Sequence, residues 1–388
     1  VKNGLAVFAR KQADRLLAAG FAAYAVGGCV RDTLLGRRPH DWDLATDASC
    51  AEVAALFPRT VPTGARYGTV TVFAYGGRCE ITTFRREGTY TDGRRPDGVA
   101  FVSDIREDLA RRDLTVNAMA MSPDGALTDP FGGRADLDRR LIRCVGEPEA
   151  RFTEDALRMF RAVRFAAELG FDIEEKTAAA IARCAPLAAR LSAERVREET
   201  ERMLCSPRPS AVAEAVGLGL YDAYLARRAP DLAPLEKLPK KPLYRWCALT
   251  AALLRCGAIE DGEAFLRALR LDKKTVRLAA FAAGTDLPPD GEGLRLFLAR
   301  HGVEEALCAA AAAGRYGAVR RAVRAGGYVP VSVLAVGGRE LETLGLRGEA
   351  VGETLARLAA DATRGAVANE RAALLEKALF YEKMRRKA

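Results

Sequence analysis

Asp41 and Asp43, two positions apart, are the first side chains in this sequence whose spacing suggests chemistry. In an extended segment, alternate residues share a face, so both carboxylates point the same way. Carboxylates held side by side repel each other unless a cation compensates them. Mg²⁺ suits that task, because it binds one or two carboxylates together with substrate phosphates. A pair of such ions can activate an attacking hydroxyl and stabilise a leaving pyrophosphate. A solvated acidic turn is the ordinary reading of an isolated D-x-D.

A phosphate-binding element stands just upstream. Gly27-Gly28 closes the apolar run FAAYAV and opens a helical stretch. Adjacent glycines let a ligand approach the backbone, and a helix start presents free N–H groups to an anion. Arg31, in the first turn, adds a guanidinium for phosphate. Within the one segment 27–43 the sequence therefore holds both halves of a nucleotidyl-transfer site. His40 directly precedes Asp41, and on a strand its ring points to the opposite face. It reads as a neighbour rather than a general base. His301 has no partner in sequence.

These residues need elements to position them. The first part of the chain alternates helix and strand signals: a helix over 2–20, a strand over 21–26, a helix over 29–35 and a strand over 42–45. A short helix over 49–57 follows, with Ser49 as N-cap. The runs TVTVFAY and RCEITTF, joined at Gly76-Gly77, predict a hairpin over 69–84. Residues 87–96 (EGTYTDGRRP) read as a loop, 105–115 as a helix, and 116–128 as a second hairpin around Pro123-Asp124-Gly125. Beyond about residue 140 strand signals fade. Helices are predicted over 153–169, with Thr153 as N-cap, then over 174–184, 192–205 and most of 209–386. The fold class is α+β, a small mixed sheet with helices followed by an all-helical remainder.

Composition narrows the field. Across 388 residues, 60 Lys and Arg face 51 Asp and Glu, a net charge of +9 that suits a polyanionic partner. No apolar run is long enough to span a bilayer, and no signal-peptide pattern stands at the start, so a cytoplasmic location is expected. The nine cysteines form no C-x-x-C pair and there are only two histidines. That excludes a zinc cluster and a histidine-rich phosphohydrolase domain, and reads as buried thiols.

The segment GGCVRDTLLGRRPHDWDLAT resembles the first motif of the polymerase-β-type nucleotidyltransferases, in the class II branch of CCA-adding enzymes and bacterial poly(A) polymerases. ARRDLTVNAMA (110–120) is similar to that branch's second motif, and EDALRMFRAVRFA (154–166) to its base-selecting helix. SAERVREE (192–199) resembles the neck motif, and LAVGGRELETLGLRGEAVGETL (334–355) with GAVANE (365–370) the tail. The likeness runs in order along almost the whole chain. It implies a head over 1–139, a helical neck over 140–205, a body over 206–325 and a tRNA-binding tail over 326–388.

The resemblance also implies roles. Asp41 and Asp43 hold the metal. Arg112 contacts phosphate or base, Asp113 the ribose hydroxyl, and Asn117 assists; an Asp108–Arg112 pair on an exposed helix is the plain alternative. Glu80, on the second strand of the predicted hairpin, reads equally as a third carboxylate of the site or as a hydrogen-bonded strand residue. Asp155 and Arg158, three apart on a helix, share one face. A carboxylate accepting from an exocyclic amine, beside a guanidinium donating to a ring nitrogen, fits C and A and leaves U and G unpaired. Without the family likeness, a surface ion pair is the commoner fate of Asp-x-x-Arg. Arg161 and Arg164 continue the ladder around the nucleotide. The loop at 87–96 matches the family's flexible loop and argues for addition of A. The expected activity is untemplated addition of C, C and A to the 3′ end of tRNA from CTP and ATP, with Mg²⁺. An A-adding enzyme, a poly(A) polymerase and a catalytically silent RNA-binding protein stay open as alternatives. The tRNA acceptor end and upper helical arm would lie along basic zones at 237–245, 315–324 and 383–387.

Overall fold

The computed structural model describes residues 4–88, 98–289 and 291–387. The chain forms two compact units, Val1–Ala223 and Tyr224–Ala388. The first carries the sheet. Its opening elements are α1 (Val7–Ala18), β1 (Ala23–Val26), α2 (Gly28–Leu34), β2 (Asp43–Thr46) and α3 (Cys50–Leu56). Then come β3 (Thr60–Gly64), β4 (Thr69–Ala74), β5 (Gly77–Thr83), β6 (Arg85–Glu87), β7 (Val99–Phe101) and α4 (Ile105–Ala110). β8 (Ala120–Met121), β9 (Leu127–Thr128), α5 (Gly133–Arg139) and β10 (Leu141–Ile142) close the sheet-bearing part.

Seven strands form one sheet in the order β3-β4-β5-β2-β1-β8-β9. Every neighbouring pair is antiparallel except β2 and β5, which run parallel with Asp43 opposite Glu80. Val26, Ala45, Phe84, Ile105, Leu109 and Ala120 form an apolar cluster between this sheet and α4. Ser49 caps α3 as the sequence suggests, with Glu52 closing a reciprocal capping box. The first hairpin turns at Tyr75 and Gly76, both at positive φ, one residue earlier than its glycines imply.

Helices then dominate the unit: α6 (Pro148–Glu154), α7 (Leu157–Leu169), α8 (Glu175–Cys184), α9 (Ala193–Leu204) and α10 (Ala211–Gly217), with a two-residue strand β11 (Asp172–Ile173) beside β10. The all-helical second unit contains α11 (Pro242–Arg255), α12 (Gly262–Ala268), α13 (Lys273–Ala283), α14 (Glu292–Ala312), α15 (Tyr316–Ala325), α16 (Gly338–Thr343), α17 (Glu349–Arg364) and α18 (Arg371–Lys387).

Several expectations are corrected. The helix expected over 105–115 stops at Ala110, because Leu114 turns away to bridge Cys144. The helix expected over 153–169 is two helices, broken where Asp155 is extended at φ −145°. Thr153 is therefore no N-cap; its hydroxyl donates to the Glu149 carbonyl at 2.8 Å. β3 was not foreseen, since its Pro62 and largely exposed side chains blur a strand pattern that only an edge position tolerates. Of the nine free cysteines, Cys50, Cys184, Cys205 and Cys256 are partly exposed rather than buried. In the zone 237–245, Arg245 is buried and donates to the carbonyls of Leu238 and Pro239, so it offers no surface charge. Arg320, Arg321 and Arg324 on α15 are exposed. The loop at 87–96 lies, from residue 89 on, outside the described residues.

Close packing beneath the sheet gives a direct test. A Cβ built on Gly133, the first residue of α5, would stand 2.2 Å from the Thr115 carbonyl oxygen. Backbone cannot yield as a flexible side chain can, so Gly133→Ala should cost about 1–3 kcal/mol. Urea unfolding followed by circular dichroism should show the transition of the first unit moving to lower denaturant; an unchanged midpoint would contradict this packing.

Candidate active site

Asp43 is the first residue of β2, and the parallel pairing of that strand with β5 sets Glu80 across from it. Asp41, Trp42, Asp43, Arg78 and Glu80 line one small cavity of about 190 Å³. The two aspartates thus face a common space, although Asp41 stands in a bend before the strand begins. Because the strand starts at Asp43, the alternation expected to send His40 away does not reach it. His40 Nδ1 instead lies 3.1 Å from Asp41 Oδ2, and Arg78 donates to Asp41 Oδ1 at 3.3 Å. Burial first, then repulsion from Glu80 and more weakly from Asp41, pushes the Asp43 carboxyl up to about 6, while Arg112 and Arg78 oppose the shift.

That repulsion tests the site for a cation. Among the described residues, no three His, Cys, Asp or Glu side chains are gathered into a ready-made cage. An open pair of carboxylates, unstable as neighbouring anions, fits a hard cation that takes its remaining ligands from substrate phosphate and water. Asp41 and Asp43 are the residues suited to hold it.

Asp43 also lines a second, larger cavity of about 650 Å³ with Gly27, Gly28 and Arg31. Gly27 caps α2 at φ 76°, and a Cβ there would meet Arg112 Nη1 at 2.8 Å. The positive φ favours glycine here, and the missing Cβ leaves the Arg112 guanidinium its place. Arg31 donates to Asn117 Oδ1 at 2.7 Å, and the Asn117 carbonyl accepts from Arg112 at 3.3 Å. Arg112 also meets the buried Asp108 at 3.4 Å, so the expected i,i+4 pair exists beside the cavity rather than instead of it. The buried Nε of Arg112 has no hydrogen-bond partner among the described residues.

The opposite wall comes from α7 and its approach. Arg161 donates to Asp113 Oδ2 at 2.6 Å. Burial alone would raise the Asp113 carboxyl, but Arg161, helped by Arg158 and the Leu114 N–H, holds it below the ordinary aspartate range. Arg158 is nearly buried; it pairs with Glu154 and donates to the Arg111 carbonyl at 3.3 Å. Asp155, in the break before α7, accepts from Leu157 N at 3.0 Å and from Arg195 at 2.8 Å. Asp155 and Arg158 line the same cavity but not one helical face, because Asp155 is not helical.

Arg164 departs from expectation. It does not line the cavity; it is buried under Phe165 and tied to Glu199 at 2.5 Å and Glu168 at 2.7 Å. The three-residue spacing carries it round the helix toward α9. Arg111, which the resemblance groups with Arg112 and Asp113, lines the cavity, and so do residues that sequence reasoning passed over: Tyr67, Arg85, Phe165, Arg195 and Arg202. Arg195 lies inside the recognised neck motif, which was the available signal. Phe165 receives the guanidinium groups of Arg31 at 5.2 Å and Arg161 at 5.5 Å on its ring.

The Asp113–Arg161 pair has a pH signature. A carboxyl held below its unfolded value of 3.8 contributes stability at neutral pH and loses it as the pH falls through the depressed value. Arg161 is 35% exposed, so the full cost of breaking a buried pair is discounted. Arg161→Met should destabilise by about 1–3 kcal/mol at pH 7. The gap from the parent chain should narrow in urea titrations run below pH 4; an equal gap at both pH values would contradict the pairing.

The chain was compared with known proteins. Residues 23–143 match the Poly A polymerase head domain, and residues 170–234 the probable RNA and SrmB-binding site of polymerase A. A CCA-adding enzyme of Geobacillus kaustophilus is 42% identical over 340 residues, covering 83% of each chain. A CCA-adding enzyme of Limosilactobacillus fermentum is 38% identical over 399 residues, covering 95% of this chain and 96% of that one. The crystal structure of the Bacillus stearothermophilus CCA-adding enzyme in complex with CTP matches with a TM-score of 0.77 at 34% identity, over 98% of both chains.

Proposed function

This chain belongs to the CCA-adding enzymes, and from that premise we propose how its two cavities divide the addition of C, C and A to the 3′ end of tRNA. It is a nucleotidyltransferase whose substrates are tRNA, CTP and ATP. Among the described residues no helix is long and apolar enough to cross a membrane. We place this tRNA-processing enzyme in the cytoplasm. One observation carries the mechanism: the larger cavity and the carboxylate cavity meet at Asp43.

The nucleoside triphosphate lies in the larger cavity. Gly27, Gly28, Arg31 and Arg112 receive the phosphates, and the unsatisfied Arg112 Nε donor is suited to an anion. Asp113, held ionised by Arg161, and Asn117 stand where a ribose hydroxyl would be bound. The tRNA 3′ hydroxyl attacks the α-phosphorus. A new P–O bond forms, the bond from the α-phosphorus to the β-bridging oxygen breaks, the hydroxyl proton is lost, and pyrophosphate leaves. A divalent cation belongs to this reaction; we take it to be Mg²⁺, which on Asp41 and Asp43 would neutralise the carboxylates and the reacting phosphates. Glu80, exposed beside Asp43, orients the hydroxyl side of the site.

Base choice falls to Asp155 and Arg158. Their existing partners pre-orient them: Arg195 fixes the carboxylate, while Glu154 and the Arg111 carbonyl fix the guanidinium. Neither is spent on the other. A carboxylate keeps lone pairs for an exocyclic amine, and a guanidinium keeps donors for a ring nitrogen. C and A satisfy both, whereas U and G oppose like groups. Arg164 acts by anchoring α7 to α9. We assign catalysis to a head over 1–139, base choice to a neck over 140–205, and tRNA binding to a body over 206–325 and a tail over 326–388.

Two experiments test this reading. Asp41→Ala and Asp43→Ala should each abolish incorporation of labelled CTP and ATP into tRNAs ending at the discriminator base, at C or at CC, while tRNA binding by filter retention persists. Retained incorporation in either variant would defeat the assignment. Asp155→Asn should erode the preference for CTP over UTP by about 1–3 kcal/mol, roughly 5- to 150-fold in kcat/KM. An unaltered preference would remove Asp155 from base reading.

A further inference from the structure

Asp108 does not line the larger cavity, yet it holds three residues that do. Its side chain is 1% exposed. Oδ1 accepts from Arg111, at 2.9 Å from Nε and 2.8 Å from Nη2, and from the backbone N–H of Arg85 at 3.3 Å. Oδ2 accepts from Arg112 Nη2 at 3.4 Å. Arg85, Arg111 and Arg112 all line the cavity.

Local structure explains the convergence. Asp108 precedes Arg111 and Arg112 by about one helical turn, and side chains three and four positions on lie over it. Arg85 opens β6, which packs beside α4, and Arg86 pairs with Glu107 at 3.6 Å in the same contact. The carboxylate therefore joins two segments that meet only in the folded chain.

A charge withdrawn from water is costly unless it is paired and hydrogen-bonded. Both oxygens of Asp108 meet that condition. The cations gain as well. Arg111 and Arg112 are neighbours in the chain, and Arg31 and Arg158 line the same cavity. Like charges gathered in this way repel, and long side chains left to themselves would spread over many rotamers. Asp108 offsets the repulsion and fixes the direction of two guanidinium groups. Donors remain for a ligand. A guanidinium has five N–H donors, and Arg112 gives one to Asp108 and one to the Asn117 carbonyl at 3.3 Å.

We propose that Asp108 is a positioning residue for triphosphate binding, holding Arg111 and Arg112 in place without touching the nucleotide itself. The inference rests on the reading of the larger cavity as the triphosphate site, with Arg112 on the phosphates.

The test is steady-state incorporation of CTP and ATP by the full chain. Asp108→Asn keeps the size of the side chain but sets an amide NH2 where an oxygen met a guanidinium. KM for both triphosphates should rise about tenfold, with kcat little changed and KM for tRNA unaltered. The inhibition constant of inorganic tripolyphosphate, which has neither base nor ribose, should rise by the same factor. Because Asp108 acts through its arginines, Asp108→Asn/Arg112→Met should lose less than the product of the two single effects. If Asp108→Asn cannot be recovered folded, Asp108→Glu, which keeps the charge and shifts it by one methylene, should raise the same two constants several-fold. A fall in kcat with both constants unchanged would reduce Asp108 to a purely structural role and overturn the proposal, as would single effects that multiply in the double variant. Arg112→Met separates this inference from its premise. If that variant leaves KM for CTP and the tripolyphosphate constant unchanged, the reading of the cavity as a triphosphate site is itself wrong.

Discussion

Like charges forced together at the edge of a buried strand govern this molecule. β2 is buried along most of its length, and its first residue must emerge where the sheet opens. The parallel pairing with β5 then brings Glu80 level with Asp43, and the bend before the strand brings Asp41 to the same opening. Backbone pairing, rather than the side chains, sets Glu80 beside Asp43. Arg78 and Arg112 offset part of the repulsion from either side. The remainder favours a nearby cation, and the proposed mechanism sets the reaction at this point of the fold.

Around that point the larger cavity is assembled from stretches of chain that are far apart in sequence. The sheet-bearing part contributes Gly27, Arg31, Arg112 and Asp113, and α7 with its approach contributes Asp155, Arg158 and Arg161. What joins them at the cavity is largely ionic and cation–π: Asp113 with Arg161, the Arg111 carbonyl with Arg158, and Arg31 over Phe165. Burying such pairs costs desolvation that apolar packing would avoid. In exchange, the donors are fixed in direction, as the proposed reading of hydrogen-bond order would require. Apolar packing enters one layer further out, where Phe160 meets Tyr221 edge-on at 5.3 Å.

The sequence was most informative where chemistry and local structure are set by the same few residues. The D-x-D, the paired glycines and the hairpin at 69–84 could be read because spacing and turn residues act within a handful of positions. Ser49 announced its helix through a cap whose partners lie three residues away. Elements fixed by distant partners were not legible. Leu114 leaves its helix for Cys144, 30 positions on, and nothing near Leu114 signals that. The interruption at Asp155 falls inside a run that is helical by propensity, and it persists because the carboxylate is satisfied by Arg195 on another helix. Arg164 shows the opposite error. It shares the spacing of its neighbours, but which face of α7 meets the cavity is decided by packing against α9.

The interruption at Asp155 has a consequence for how such an enzyme can diversify. Arg158 rides on a helix locked into its surroundings, while Asp155 hangs from a single extended residue between two helices. The two halves of the proposed base reader are thus carried by different elements, a helix and the connector before it. Lengthening or shortening the connector would move the acid relative to the guanidinium without disturbing the bed of α7. Under the proposed roles, nucleotide preference would be adjustable by insertion and deletion at one joint, with the cationic wall left intact.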